Sequence, residues 1–196
     1  MASNRVCGPP AATSFDHDAA SQALGAAGFN DANYRLAQYW LSLWQGNSLP
    51  KRAHFDPRRV PDLLSTICIF DVIPERQVTC RLAGSAIRRA LGIELTNRDW
   101  LAPLDESQRA IRLQRFSTLA YGAAARSLRH AIDQDGREQI VEKILLPFGD
   151  ISSNGTRHVI THSNWRSSSV RLGQGELSGA DQIALVYREI SLGAPE

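Results

Sequence analysis

The stretch CIFDVIPERQVTCRLA, residues 68–83, holds two β-rich runs, 68–74 and 78–83, on either side of Glu75, Arg76 and Gln77. Folding it as an antiparallel hairpin centred on Arg76 sets Phe70 opposite Leu82, Val72 opposite Cys80 and Pro74 opposite Val78. That set is wholly apolar and belongs to a core. The other face pairs Ile69 with Ala83, Asp71 with Arg81 and Ile73 with Thr79, so an acid stands opposite a base. A slip of one residue would mix the two faces, which makes this register the expected one.

Toward the N-terminus, residues 50–61 form a connector with several prolines, and a short helical turn follows at 62–65. Farther out, Asn30 offers a helix cap and Asp31 suits the first turn. Leu36, Trp40 and Leu43 fall at helical spacing, flanked by Ala37, Leu41 and Trp44, and Gly46 supplies a stop. The expectation is a helix over residues 30–45 with a wide apolar face. Residues 1–28, rich in Ala, Gly, Ser and Pro, are read as a mobile arm.

Toward the C-terminus, residues 85–91 read as a short helix closed by Gly92, and 95–104 as a connector carrying Asn97, Trp100 and Pro103. Residues 105–124 read as a helix with Ala110, Leu113, Phe116 and Ala120 on one face. A strand at 126–133 leads to Asp135 and Gly136, a hairpin-turn pair. The return strand is 138–146, a polar turn lies at 152–156, and a further strand at 159–165. Residues 167–179 are a loop rich in Ser and Gly. Residues 183–187 fit a strand or a terminal helix. Two strands, a helical excursion and an antiparallel meander describe an α+β domain on one sheet. The expected organisation is an arm at 1–28, a domain at 29–166 and an extension at 167–196.

Composition narrows the function. A chain of 196 residues with 43% apolar residues fits one globular domain. The formal charge is +2, lysine occurs only at Lys51 and Lys143, and basic residues form no long run, which argues against a nucleic-acid partner. No apolar run approaches the roughly 18–20 residues needed to span a bilayer, and residues 1–14 lack a signal-peptide pattern. Cys7, Cys68 and Cys80 are odd in number and lack metal spacing, which suits reduced thiols in a cytoplasmic, non-membrane protein.

The order of elements, together with Tyr39 and Trp40, Pro50 and Arg52, the run Phe55, Asp56, Pro57, then Leu63 and Leu64, Asp71 and Val72, the run Arg81 to Ser85, and Leu95 and Thr96, resembles the PAS superfamily. More closely it resembles bacterial PAS proteins of about this length that stand alone, over residues 34–166. Asn97 stands where the family pattern usually shows Gly; Asn tolerates positive φ best among the other residues. The resemblance implies a PAS-like five-stranded antiparallel sheet with helices over one face, an additional N-terminal helix, and a pocket between sheet and helices. It implies sensing, small-ligand binding or protein interaction, without enzymatic activity. Arg81, Trp100, Phe116 and His130 are the candidate ligand contacts.

No cofactor is expected. Light-sensing flavin chemistry needs a cysteine in an Asn-Cys-Arg type of helix, and none is present; Cys68 and Cys80 sit in strands as small buried hydrophobes. A haem ligand on the long helix would be a histidine, and residues 105–124 contain none. His158 and His162 share a strand face but stand roughly 13 Å apart at about 3.3 Å per residue, too far for a shared metal. No nucleophile elbow, P-loop or dinucleotide fingerprint is present; Gly173 and Gly175 belong to a loop, and Asp133 and Asp135 suit turn chemistry. The competing class is an isomerase-like enzyme with an isolated acid in an apolar pocket. The inward positions are mostly apolar, which favours the sensor. With no output segment of its own, such a module would act through a regulatory protein partner. The surplus apolar residues of the 30–45 helix, Trp40, Leu41 and Trp44, point to a homodimer interface. The alternative is that both tryptophans pack within one chain.

Overall fold

In the computed structural model, which describes residues 15–132, 138–167 and 184–193, the opening hairpin is strand β1 (Ile67–Ile73) paired with β2 (Gln77–Ala83). Its register differs from the expected one. Phe70 pairs with Cys80, Asp71 with Thr79, Val72 with Val78 and Ile73 with Gln77; a shift then brings Ile69 opposite Leu82 and Cys68 opposite Ala83. Arg81 is the extra residue of a β-bulge. Two neighbours, Arg81 and Leu82, therefore both face outward, and Leu82 is 45% exposed rather than core. The Asp71–Arg81 cross-strand pair does not form. Asp71 instead meets His158 Nδ1 at 2.8 Å, and Arg81 Nη1 donates to Asn97 Oδ1 at 3.2 Å. The turn, still three residues long but shifted to centre on Glu75, is made possible by that residue, which adopts φ +60°.

Around the hairpin lie α1 (His17–Gly25), α2 (Asp31–Ser42), three 3-10 turns within residues 52–66, α3 (Ser85–Leu91), β3 (Arg98–Asp99), α4 (Glu106–Ala120), β4 (Ala124–Ile132), β5 (Glu138–Ile151), β6 (Arg157–Ser167) and β7 (Ala184–Ile190). Seven antiparallel strands run in the order β3-β2-β1-β6-β5-β4-β7. The central five, the β1–β2 hairpin beside the β4–β5–β6 meander, are the five-stranded antiparallel sheet that the resemblance implied. The short β3 extends one edge and β7 the other, so the open choice at 183–187 resolves to a strand from Ala184 onward. The Asp135–Gly136 turn and the 167–179 loop lie outside the described residues, apart from Ser167 at the end of β6.

Helix ends follow local chemistry. Asn30 caps α2 by accepting from Asn33 N–H at 3.0 Å, and Asp105 caps α4 by accepting from Gln108 N–H at 2.9 Å. Before α3, Gly84 is held by sterics: a Cβ there would stand 2.3 Å from the Ser65 carbonyl oxygen. Asn97 has φ +61°, the conformation its side chain tolerates. On α4, Leu119 occupies the core, while Ala110, expected there, is exposed.

Each face of the sheet carries its own core. On one, α4 covers Phe70, Val72, Val78, Cys80 and Val159 through Phe116 and Leu119. On the other, α1 and α2 cover Ile67, Ile69, Ile144, Leu146 and Ile160. The arm expected at residues 1–28 thus contains a helix: Asp16 caps α1, accepting from Asp18 and Ala19 N–H, and Ala20 and Leu24 are fully buried.

That helix removes the exposed stripe on which the interface expectation rested. Trp40 is buried, its indole N–H donates to the Pro147 carbonyl at 2.8 Å, and Leu41 is buried as well. Trp44 meets Trp40 edge-on at 5.1 Å and His17 at 5.7 Å between ring centroids, with Phe15 beyond. Both tryptophans pack within the chain. Leu192, following β7, joins the same core, and Asp16 N–H donates to the Gly193 carbonyl at 3.1 Å.

Candidate functional site

Between α4 and the sheet lies a cavity of about 50 Å³. Strand alternation decides what faces it. On β4, Ser127 and Arg129 point in; on β5, Lys143 and Leu145; on β6, Thr161; on β1, Phe70. The helix supplies Arg112, Arg115, Phe116 and Leu119 at helical spacing, the connector before it gives Trp100, and β7 adds Tyr187. One wall is aromatic, with Phe70 5.4 Å from Trp100 and 5.0 Å from Phe116 between centroids. Four basic side chains, Arg112, Arg115, Arg129 and Lys143, share the lining with these rings. No carboxylate lines the cavity among the described residues.

The charges act on one another. Burial first, then Arg129 and Arg112, opposed by Cys68 and Cys80, together hold the Lys143 ammonium down to about pKa 7. Burial, then Arg112 and Arg115, depress Arg129 to about 10. Arg112 is lowered by burial and by Arg115. Burial and Glu189 raise the Tyr187 phenol, against the pull of Arg115. The Arg115 guanidinium stacks 4.1 Å over the Tyr187 ring, and Lys143 Nζ lies 5.7 Å from the Trp100 ring centroid. The Tyr187 hydroxyl is buried with no hydrogen-bond partner among the described residues.

Behind the pocket, on the other face of the sheet, Glu142 is buried. Arg126 Nε donates to it at 2.8 Å, and Asn30 donates through its backbone N–H and its side-chain amide. The Asn33 amide donates to the Glu142 carbonyl, and His162 Nδ1–H donates to Asn33 Oδ1 at 2.7 Å. Burial lowers His162 to about pKa 4, so the ring is neutral at pH 7. Glu142 anchors the start of α2, and its neighbour Lys143 faces the cavity.

Of the candidate ligand contacts, Trp100 and Phe116 stand in the cavity wall. Arg81 sits on the bulge at the surface. His130 follows Arg129, so strand alternation turns it to the opposite face. His158 and His162 share that opposite face but hold separate partners, Asp71 and Asn33. The sequence reading missed Arg112, Arg115, Arg129, Lys143 and Tyr187. A signal existed for one of them: Lys143, one of only two lysines, interrupts the apolar run from Ile140 to Leu146.

A twisted antiparallel meander with a helical excursion after its second strand, and a pocket under the long helix, defines a PAS-type sensory module. The chain belongs to the PAS domain family, whose pattern matches residues 29–160. Among solved structures, the chain is similar to the PAS domain of BvgS from Bordetella pertussis, at 15% identity and TM-score 0.40, over 58% of this chain and 84% of that one. It is also similar to VqmA of Vibrio cholerae, at 13% identity and TM-score 0.36, over 62% of this chain and 56% of that one. An RNA-binding Light-Oxygen-Voltage receptor matches at 19% identity and TM-score 0.36, over 75% of this chain and 47% of that one. Among curated proteins, none matches the chain. No helix among the described residues is long and apolar enough to cross a membrane.

Proposed function

We propose that this PAS module senses a small molecule held in the cavity between α4 and the sheet. The observation that carries the reading is the cavity itself, lined by aromatic side chains together with polar and cationic ones. Apolar walls with a few placed polar groups are the usual make-up of a small-molecule site. Consecutive residues of β5 serve the two faces: Lys143 meets the cavity and Glu142 holds the start of α2. A shift of β5 on filling the pocket therefore acts on the α1–α2 layer. The output passes to a partner protein or a second copy of the chain, in a cytoplasm where Cys68 and Cys80 remain thiols. The isomerase reading needs an acid in the pocket, and among the described residues the lining offers cations instead.

The test is native mass spectrometry of protein purified gently from its own host, beside Leu145→Trp, which fills the cavity. A small-molecule adduct on the wild type that is missing from the variant is expected. A wild type without adduct, whose melting temperature no small-molecule panel moves, overturns the reading.

A further inference from the structure

The charge pattern of the pocket names the class of ligand, on the reading that the pocket is a small-molecule site. We propose that it binds a small organic monocarboxylate, with the carboxylate among Lys143, Arg112 and the Tyr187 hydroxyl, and a short apolar body against Phe70, Trp100 and Phe116.

Four basic side chains, Arg112, Arg115, Arg129 and Lys143, converge on one small space with no carboxylate in its lining among the described residues. Like charges beside a poorly solvated cavity repel, and the repulsion between these groups is visible in the mutual lowering of their proton affinities. A bound anion reverses the sign of that interaction. The Tyr187 hydroxyl is a second, independent sign. It is buried with no hydrogen-bond partner among the described residues, and a buried hydroxyl of this kind needs an acceptor.

Size and wall chemistry select among anions. The cavity of about 50 Å³ holds the equivalent of roughly three to five waters, at about 10–15 Å³ each. That suits an acid with a short carbon chain and excludes a nucleotide. Phosphate, with oxygens on every side, would leave some of them against Phe70, Trp100 and Phe116, where no donor meets them. A carboxylate presents both oxygens on one side and carbon on the other, which suits a lining that offers both cationic groups and aromatic rings.

The groups facing Lys143 are Arg112 and Arg115 from α4, Arg129 from β4, Tyr187 from β7, and the Cys68 and Cys80 thiols from β1 and β2. With its ammonium losing a proton near pH 7, Lys143 in the free site is partly neutral at that pH while the arginines stay charged, and the anion draws the lysine proton back. Binding therefore takes up a proton and weakens as pH rises through 7.

Sodium butyrate, its neutral counterpart butyramide and inorganic phosphate would be titrated into the full chain at pH 6.5 and 8.5. Tryptophan fluorescence and amide NMR shifts give the readout, with sodium chloride as the ionic-strength control. Butyrate should bind at least about tenfold tighter than butyramide at pH 6.5, a difference of about 1.4 kcal/mol, and lose about five- to tenfold by pH 8.5. Lys143→Gln should remove most of that pH dependence, and Arg112→Gln should weaken butyrate at both pH values. Butyramide binding as well as butyrate would overturn the carboxylate assignment and leave the pocket reading standing. Phosphate binding in place of butyrate would overturn it too. If neither organic probe binds, the inference falls, and the native mass spectrum decides the pocket reading separately: an uncharged adduct keeps it, and no adduct removes it.

Discussion

Lys143→Met should make the protein more stable, and the gain should depend on pH in a defined direction. The Lys143 ammonium falls from 10.5 to about 7 in the folded chain, chiefly through burial. Its folded pKa lies below its unfolded one, so between about pH 7 and 10.5 the unfolded chain binds the extra proton. Wild-type stability therefore rises with pH across that window. Below pH 7 both states carry the charge, and the folded state bears the whole cost of burying it. At about 1.36 kcal/mol per pH unit the ceiling is about 5 kcal/mol. Relaxation around the buried charge lowers that ceiling, and roughly 1–3 kcal/mol is the expected gain from removing the charge while keeping the side-chain volume. Urea denaturation of wild type and Lys143→Met at pH 6, 7, 8 and 9, without added organic anions, measures the difference. The variant should lead at pH 6 and the lead should shrink steadily above pH 7. A variant less stable at pH 6, or a difference that does not change with pH, would refute the reasoning, because either result means the ammonium already has an anionic partner.

Three further substitutions probe the scaffold. Glu142→Gln should cost about 2–4 kcal/mol in urea denaturation, because it leaves the half-buried Arg126 without its partner carboxylate; a loss under half a kcal/mol would mean that the network is not formed in solution. Gly84→Ala should cost about 1–3 kcal/mol, since the new Cβ meets the Ser65 carbonyl oxygen at 2.3 Å, and an unchanged melting temperature would contradict the tight approach. Trp44→Ala should cost about 2–4 kcal/mol through lost packing against Trp40, Phe15 and His17 and leave the sedimentation coefficient unchanged. A dimer that dissociates at unaltered subunit stability would instead restore that helix face as an interface.

What was legible in the sequence was governed by alternation and caps. Asn30, Asp105 and Gly92 announce helix ends through chemistry that acts within a turn, and the meander declares itself through strand periodicity. The β1–β2 register failed because pairing by polarity favoured Asp71 with Arg81. The actual partners, His158 and Asn97, come from distant segments. The bulge at Arg81 has no polarity signature: it changes which residues face out without changing their types. α1 was hidden in a stretch rich in Ala, Gly and Ser, where helix formation depends on burying Ala20 and Leu24 against α2. The cationic wall was hidden for a related reason. Arg112 and Arg115 look like an ordinary solvated helix face, and only the sheet opposite, carrying Arg129 and Lys143, turns them into a cluster.

The bond from Asp16 N–H to the Gly193 carbonyl joins the entrance of the fold to its exit. A segment placed before α1 and another placed after Leu192 would leave the surface side by side, at the layer that Glu142 tethers to the sheet. A donor and acceptor dye attached at these two points would sit at nearly constant separation in the folded protein, making the pair an internal gauge of whether the clasp holds. The same proximity means that a chain joined by a short peptide linker across these two points and reopened within a surface turn such as 152–156 would keep every described strand neighbour it has now.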